Sequence, residues 1–344
     1  MDIIIGLLII AIGAFCQSSC YVPINKVKEW SWESYWIVQG VFAWLILPLL
    51  GALLAVPAGH SLCELFTAGN AFSIGMTILF GVLWGVGGLT FGLSMRYLGV
   101  ALGQSIALGT CAGLGTVMGP VLLNIFFPEL DALSSLTFAV ITGVAVTLAG
   151  IAIIGVAGSM KASSLSEEEK KAAVKDFNFP KGVAIALLAG FMSGCFNVGL
   201  EFGKGVNFGD LTPDMYKTLP ATLLVTLGGF VTNAIYCFWQ NSRNGTWGDY
   251  RKGHVWANNV VFCALAGALW YSQFFGLSLG KGFLAGSPTL MTLAFCILMA
   301  LNVVFSNVWG IILKEWKGCS GKTIAVLIVG IIVLIVSSFL PQLL

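Results

Sequence analysis

Charge is what this sequence has least of. Only 9% of its 344 residues are Asp, Glu, Lys or Arg, while 58% are hydrophobic, and the mean hydropathy is +0.93. A soluble domain carries about 25% charged residues. A water-soluble fold of 36.4 kDa has no means of hiding so much apolar surface. The net charge of +2 is too small to point to a nucleic-acid partner. The nine Cys include no C-x-x-C pair, and Cys16, Cys111, Cys237 and Cys296 lie inside apolar runs. They read as buried thiols, not as a disulfide framework or a metal site.

Enzymatic signatures are missing as well. The histidines are His60 and His254, with no H-E-x-x-H and no G-x-S-x-G. Gly321-Lys322-Thr323 matches the end of a phosphate loop, but Trp316 stands where its first glycine is needed. An integral-membrane enzyme would need paired polar or metal-binding groups inside its apolar runs, and almost none occur. No soluble segment is long enough to bind ATP. Uphill transport would therefore draw on an ion gradient and need no cofactor.

Long apolar runs are abundant. A helix of about 20 residues crosses a hydrocarbon core. Ten stretches qualify: 3–23, 35–56, 71–94, 100–124, 135–157, 182–203, 219–240, 256–278, 288–312 and 323–341. Backbone groups in lipid must be satisfied internally, so these runs predict helices, and a β-barrel would show short alternating segments instead. Asp2 follows Met1 with no basic residue before Ile3, so the first run is expected to be a retained span and not a secretory leader. Loops after odd-numbered spans carry 14 of the 17 Lys and Arg, whereas those after even spans carry only Lys204, Lys217 and Lys281. The positive-inside rule then places the odd loops in the cytoplasm and both termini outside.

The longest polar segment, 158–181, contains Ser166-Glu167-Glu168-Glu169 followed by Lys170, Lys171 and Lys175. This capping-box pattern predicts a short surface helix that links two five-span halves, 1–157 and 182–344. Five is odd, so the halves have opposite orientations, as an inverted repeat requires. Span 3 reads Gly81-Val82-Leu83-Trp84 and then Phe91-Gly92-Leu93-Ser94. Span 8 reads Gly267-Ala268-Leu269-Trp270 and then Phe275-Gly276-Leu277-Ser278. The expected architecture is an all-α integral membrane protein of ten helices in two inverted five-helix repeats.

Glycine, at 43 residues, recurs at four-residue spacing, as in Gly109 and Gly113 or Gly276 and Gly280. Such spacing lets helices pack closely in lipid. Pro48 and Pro120 are placed to bend their spans. The best-placed acid within a span is Glu201, near the end of span 6 and so near the outer interface, with Lys204 at i+3 as its partner; intramembrane acids mark ion pathways, and an interfacial salt bridge explains this one equally well. The amides Gln17, Asn197, Gln273 and Asn302 sit inside spans and must find hydrogen-bond partners, either other helices or a solute. Trp84 and Trp270 fall at matching mid-span positions, away from the interfaces that tryptophan favours. They are either core packing or aromatic walls for a solute, with Tyr271 and Gln273 alongside. Trp30, Trp32, Trp36 and Trp316 lie at span ends and read as interfacial belt residues.

Several blocks together identify a family. Lys26-Val27-Lys28-Glu29-Trp30-Ser31-Trp32-Glu33, Met95-Arg96-Tyr97-Leu98-Gly99, Trp270-Tyr271-Ser272-Gln273-Phe274-Phe275 and Lys314-Glu315-Trp316 resemble the L-rhamnose–proton symporter family, a branch of the drug/metabolite transporter superfamily. The resemblance covers nearly the whole chain. It implies a multi-pass protein of the bacterial inner membrane that imports L-rhamnose, and L-lyxose besides, with a proton. Its partners would be the sugar, the proton and the lipid bilayer. Gln17, Trp84, Asn197, Trp270, Tyr271, Gln273 and Asn302 would then be the sugar-binding candidates and Glu201 the proton-coupling candidate. Two departures from the family pattern stand out. Ala285-Gly286-Ser287-Pro288-Thr289-Leu290 carries no acid at the start of span 9, and Glu201 occupies a place where relatives would be expected to carry an amide. A transporter of the same architecture for a different sugar or an exported metabolite is the nearest rival, because fold does not fix substrate or direction.

Overall fold

The computed structural model describes residues 2–98, 100–164, 179–314 and 316–340. All ten apolar runs are helical: α1 (Asp2–Ser18), α2 (Trp32–Leu53), α3 (Ala71–Leu98), α4 (Val100–Phe126), α5 (Phe138–Ser163), α6 (Phe179–Phe202), α7 (Leu219–Asn244), α8 (Gly253–Leu284), α9 (Pro288–Ile312) and α10 (Gly321–Phe339). Ten helices are long and apolar enough to cross a membrane, and no strand occurs among the described residues. The surface helix expected at Ser166 to Glu169, with the lysines after it, lies outside the described residues.

Local chemistry explains several boundaries. Ser287 caps α9 by accepting from the Leu290 N–H, with Pro288 in the first turn, and Ser320 caps α10 by accepting from Thr323 N–H. Gly245 ends α7 in the left-handed conformation, φ 69°. Inside α2 the turn Val41–Ile46 widens to a π-helix, and Leu47 N–H reaches back to the Phe42 carbonyl. Pro48 follows at once. Its ring has no N–H to donate and presses on the carbonyl four residues earlier, so the ordinary α pattern fails at this point of the helix.

The chain divides into two compact units, Met1–Gly85 with Gly199–Ala285, and Val86–Val198 with Gly286–Leu344. Each takes helices from both halves of the sequence. In the first unit α1 runs antiparallel along α8. A Cβ at Gly6 would lie 2.9 Å from the Gly280 carbonyl oxygen, and one at Gly13 would lie 2.8 Å from that of Ser272. α3 approaches α7 as closely, through Gly81 against Val225 and Gly228 against Ile78. Close backbone contact of this kind replaces the hydrophobic drive that lipid removes. In the second unit α5 packs along α10, where Thr147 Oγ1 donates to Ser337 Oγ at 3.0 Å, and α4 packs against both α5 and α9.

Many of these pairings recur five spans on. α1 with α8 corresponds to α6 with α3, which meet through the stacked rings of Phe202 and Phe80. α2 with α8 corresponds to α7 with α3, and α4 with α5 to α9 with α10. The pairs α2–α7, α4–α9 and α5–α10 map onto themselves.

The block Lys26 to Glu33 is a docking element. Lys28 exchanges two hydrogen bonds with the Asn259 amide, receiving at 2.8 Å and donating at 3.0 Å. Asp249 accepts from Ser31 N–H at 2.7 Å and from the Ser31 and Ser34 hydroxyls at 2.8 and 3.0 Å, and it pairs with Lys252 at 2.7 Å. Glu33 accepts from Asn244 and Thr246. Burial works to raise the Asp249 pKa, but the Lys252 ammonium and the serine donors outweigh it and bring the carboxyl down to about 2. Trp30 is 8% exposed and packs with Val255, Cys263 and Tyr250. It is a core residue of this joint, not a belt residue: an interfacial and an interior tryptophan look alike in sequence.

Candidate functional site

Trp84 on α3 and Trp270 on α8 meet, 186 positions apart in sequence but with ring centroids 5.6 Å apart and planes 35° apart. A sugar ring slotted between two aromatic faces needs roughly 7–8 Å, two carbon–carbon contacts of about 3.5–4 Å. The two indoles therefore do not face each other across a gap. They form one aromatic surface, half-buried on both rings. Trp44, from the π-helical turn of α2, closes one edge: its ring stands 6.0 Å from each, at 89° to Trp84 and 85° to Trp270. Phe274 adds a fourth ring, 5.2 Å from Trp270.

The aromatic surface continues along α2. Trp36 lies 5.7 Å from Trp44, and Trp32 stacks on Trp36 at 5.4 Å. Trp36 donates its N–H to Asn233 Oδ1 on α7 at 3.0 Å. Its role is thus interhelical, and the belt reading of Trp36 gives way to this contact. Trp32, 40% exposed, keeps the character expected of a span end.

Polar groups flank the rings. Gln273 is buried on α8 and donates to the Trp270 carbonyl at 3.1 Å. Tyr271 is 5% exposed, and its hydroxyl, which has no hydrogen-bond partner, presses against Gly51 of α2, where there is no room for a Cβ. Gln17 is half-buried on α1. The antiparallel register that sets Gly13 beside Ser272 and Gln273 puts Gln17, one turn on, level with Leu269 and Trp270. Gln39 of α2 is buried with Oε1 unpartnered. All of these groups belong to the first unit.

Asn197 and Asn302 belong to the second unit. Asn197 on α6 donates to the Gly115 carbonyl of α4 at 2.8 Å, which accounts for one end of its amide; Oδ1 stays without a partner. Asn302 is buried on α9. Thr116 and Thr226 return their hydroxyls to carbonyls four residues back and offer little to a solute.

Glu201 is 8% exposed near the end of α6 and pairs with exposed Lys204. A second cation lies within its electrostatic reach: Lys281 of α8, 5% exposed. The apolar run in the sequence stops at 278, which puts Lys281 in a loop, but α8 continues to Leu284 and carries it inside. Sequence reasoning also passed over Trp44 and Gln39. Trp44 satisfies the mid-span criterion that singled out Trp84 and Trp270, and the spacing 32, 36, 44 places it on the face of the other two α2 indoles.

The family model described as L-rhamnose-proton symport protein (RhaT) matches residues 1–343. Curated relatives include the L-rhamnose-proton symporters of Yersinia pestis (strain Pestoides F) and Yersinia pseudotuberculosis serotype O:1b (strain IP 31758). Each is 31% identical over 354 residues, covering 98% of this chain and 96% of the relative. The family is one of transporters, not of enzymes. With ten membrane-length helices and a match along nearly its full length, the chain belongs to the L-rhamnose–proton symport protein family.

Proposed function

We propose that this protein imports L-rhamnose with a proton by alternating access. The observation that carries this reading is the aromatic surface of Trp84 and Trp270 with amide and hydroxyl groups at its margin. A 6-deoxy sugar has an apolar C–H face and a methyl group that suit indole rings, and hydroxyls that suit amides. The sugar lies on this surface, where the two sequence halves meet inside the first unit. Gln17, Tyr271 and Gln273 bond its hydroxyls, and the buried amides Asn197 and Asn302 are further sugar-binding candidates. Glu201 takes up the coupled proton, with the proton gradient as driving force and no cofactor. L-lyxose, which shares most of the hydroxyl pattern without the methyl group, is a second substrate.

The protein sits in the bacterial inner membrane with both termini outside, in keeping with the bias of Lys and Arg toward the odd loops. The helix pairings that recur five spans on support two inverted repeats, whose rocking alternates access to the site. The substrate is tested by competition. Unlabelled L-rhamnose should suppress uptake of labelled L-rhamnose more strongly than other hexoses and pentoses do. A different sugar that competes better would reassign the substrate and leave the architecture intact.

A further inference from the structure

We propose that Trp44 is a third substrate-contacting residue, whose indole N–H donates a hydrogen bond to a hydroxyl of the sugar seated on Trp84 and Trp270. The inference rests on the sugar-transport reading and extends it to a residue outside the blocks that carry the family resemblance.

Four observations carry it. Trp44 is 3% exposed and its Nε1 has no partner. Buried tryptophan N–H groups normally find an acceptor, as the half-buried Trp36 on the same helix does by donating to Asn233. Trp30 Nε1 is also unpartnered, but it sits in the docking joint beside Tyr250, away from this surface. The Trp44 ring touches both Trp84 and Trp270, so a solute lying on those two rings is within reach of its edge. The ring is held by a six-residue π-helical turn, a geometry that is rare and concentrated at functional sites. Finally, position 40 is glycine, and a Cβ there would lie 2.5 Å from the Trp44 ring. The helix thus carries a glycine where the ring folds back on its own backbone.

Nε1 is sealed from solvent in this conformation. A hydroxyl therefore bonds to it only once the ring turns its edge toward the seated sugar. A neutral group that bonds only in the loaded state adds selectivity, because an analogue lacking the matching hydroxyl leaves a buried donor unpaired.

The test is a set of uptake measurements in cells lacking their own L-rhamnose carrier, with membrane levels of each variant quantified. Wild type is competed with the monodeoxy analogues of L-rhamnose, one of which should compete worse because it lacks the bonded hydroxyl. Trp44→Phe keeps an aromatic ring and removes the N–H. It should raise KM about 2- to 10-fold, the range of one neutral hydrogen bond, and abolish the discrimination against that one analogue. Trp44→His, which returns a ring N–H, should recover part of the discrimination; a purely structural role would not follow the N–H in this way. A wild type that takes up no L-rhamnose removes the transport reading itself. A wild type that transports, with Trp44→Phe matching it in KM and in analogue discrimination, overturns this inference alone. If Trp44→Phe does not reach the membrane, Trp44→His decides: partial discrimination supports the donor, and unaltered KM with no discrimination in either protein overturns it.

Discussion

Replacing Asp249 with asparagine isolates the charge at the joint between the 26–33 block and the segment after α7. The shape is kept, and one amide oxygen still accepts from Ser31 N–H. The second oxygen, which accepts from Lys252, becomes an NH2 group that meets the Lys252 ammonium. The native carboxyl titrates at about 2 instead of the usual 3.8. A difference of nearly two units at roughly 1.4 kcal/mol each corresponds to about 2 kcal/mol. The Asp249 side chain is 8% exposed but its Lys252 partner is 36% exposed, so solvent screening makes this figure an upper bound. The folded pKa lies below the unfolded one, so the folded state binds fewer protons. The stabilisation is complete above pH 3.8 and is lost as pH falls through about 2. Thermal unfolding in detergent, followed by intrinsic tryptophan fluorescence, reads the effect: Trp30 lies in the joint itself. Asp249→Asn should unfold several degrees below wild type at pH 7, with the gap constant down to about pH 4 and narrowing below it. Equal stability at pH 7 would refute the reasoning. So would a gap that does not change with acid, which would trace the loss to shape instead of charge.

Four further outcomes follow from the site. Trp270→Ala should abolish L-rhamnose uptake with the protein still present in the membrane, and normal uptake would remove Trp270 from the site. Tyr271→Phe deletes a buried hydroxyl that has no partner. It should leave stability unchanged or raise it by about 1 kcal/mol while weakening sugar uptake; a stability loss would show that the hydroxyl is satisfied in the folded protein. Glu201→Gln should uncouple transport, so that sugar still equilibrates across the membrane but no longer accumulates, and Lys281→Met should alter the pH profile of uptake because it removes the buried cation facing Glu201. Accumulation unchanged in Glu201→Gln would move the coupling role elsewhere.

The spans were legible because each is a local property: some twenty apolar residues in a row have one way to satisfy their backbone in lipid. The meeting of Trp84 with Trp270 was foreshadowed by the repeated blocks around them. What escaped depends on contacts distant in sequence. Asp249 meets Ser31 across 218 positions and Trp36 meets Asn233 across 197, and neither pair has a local signature. Lys281 shows its charge in the sequence but not its surroundings. It looked like a loop residue because a lysine ends an apolar run, and the helix carried it inside. The π-turn of α2 left only Pro48 as a trace. The arrangement of Trp84 and Trp270 as one surface, not two walls, required the crossing of α3 and α8, which no hydropathy pattern encodes.

The central claim is proton-driven sugar import, and uptake of labelled L-rhamnose by cells lacking their own carrier, with and without a protonophore, tests it most directly. The expected result is accumulation that collapses when the protonophore is added. Uptake that persists unchanged would contradict proton coupling, and no uptake by protein shown to be in the membrane would contradict the substrate.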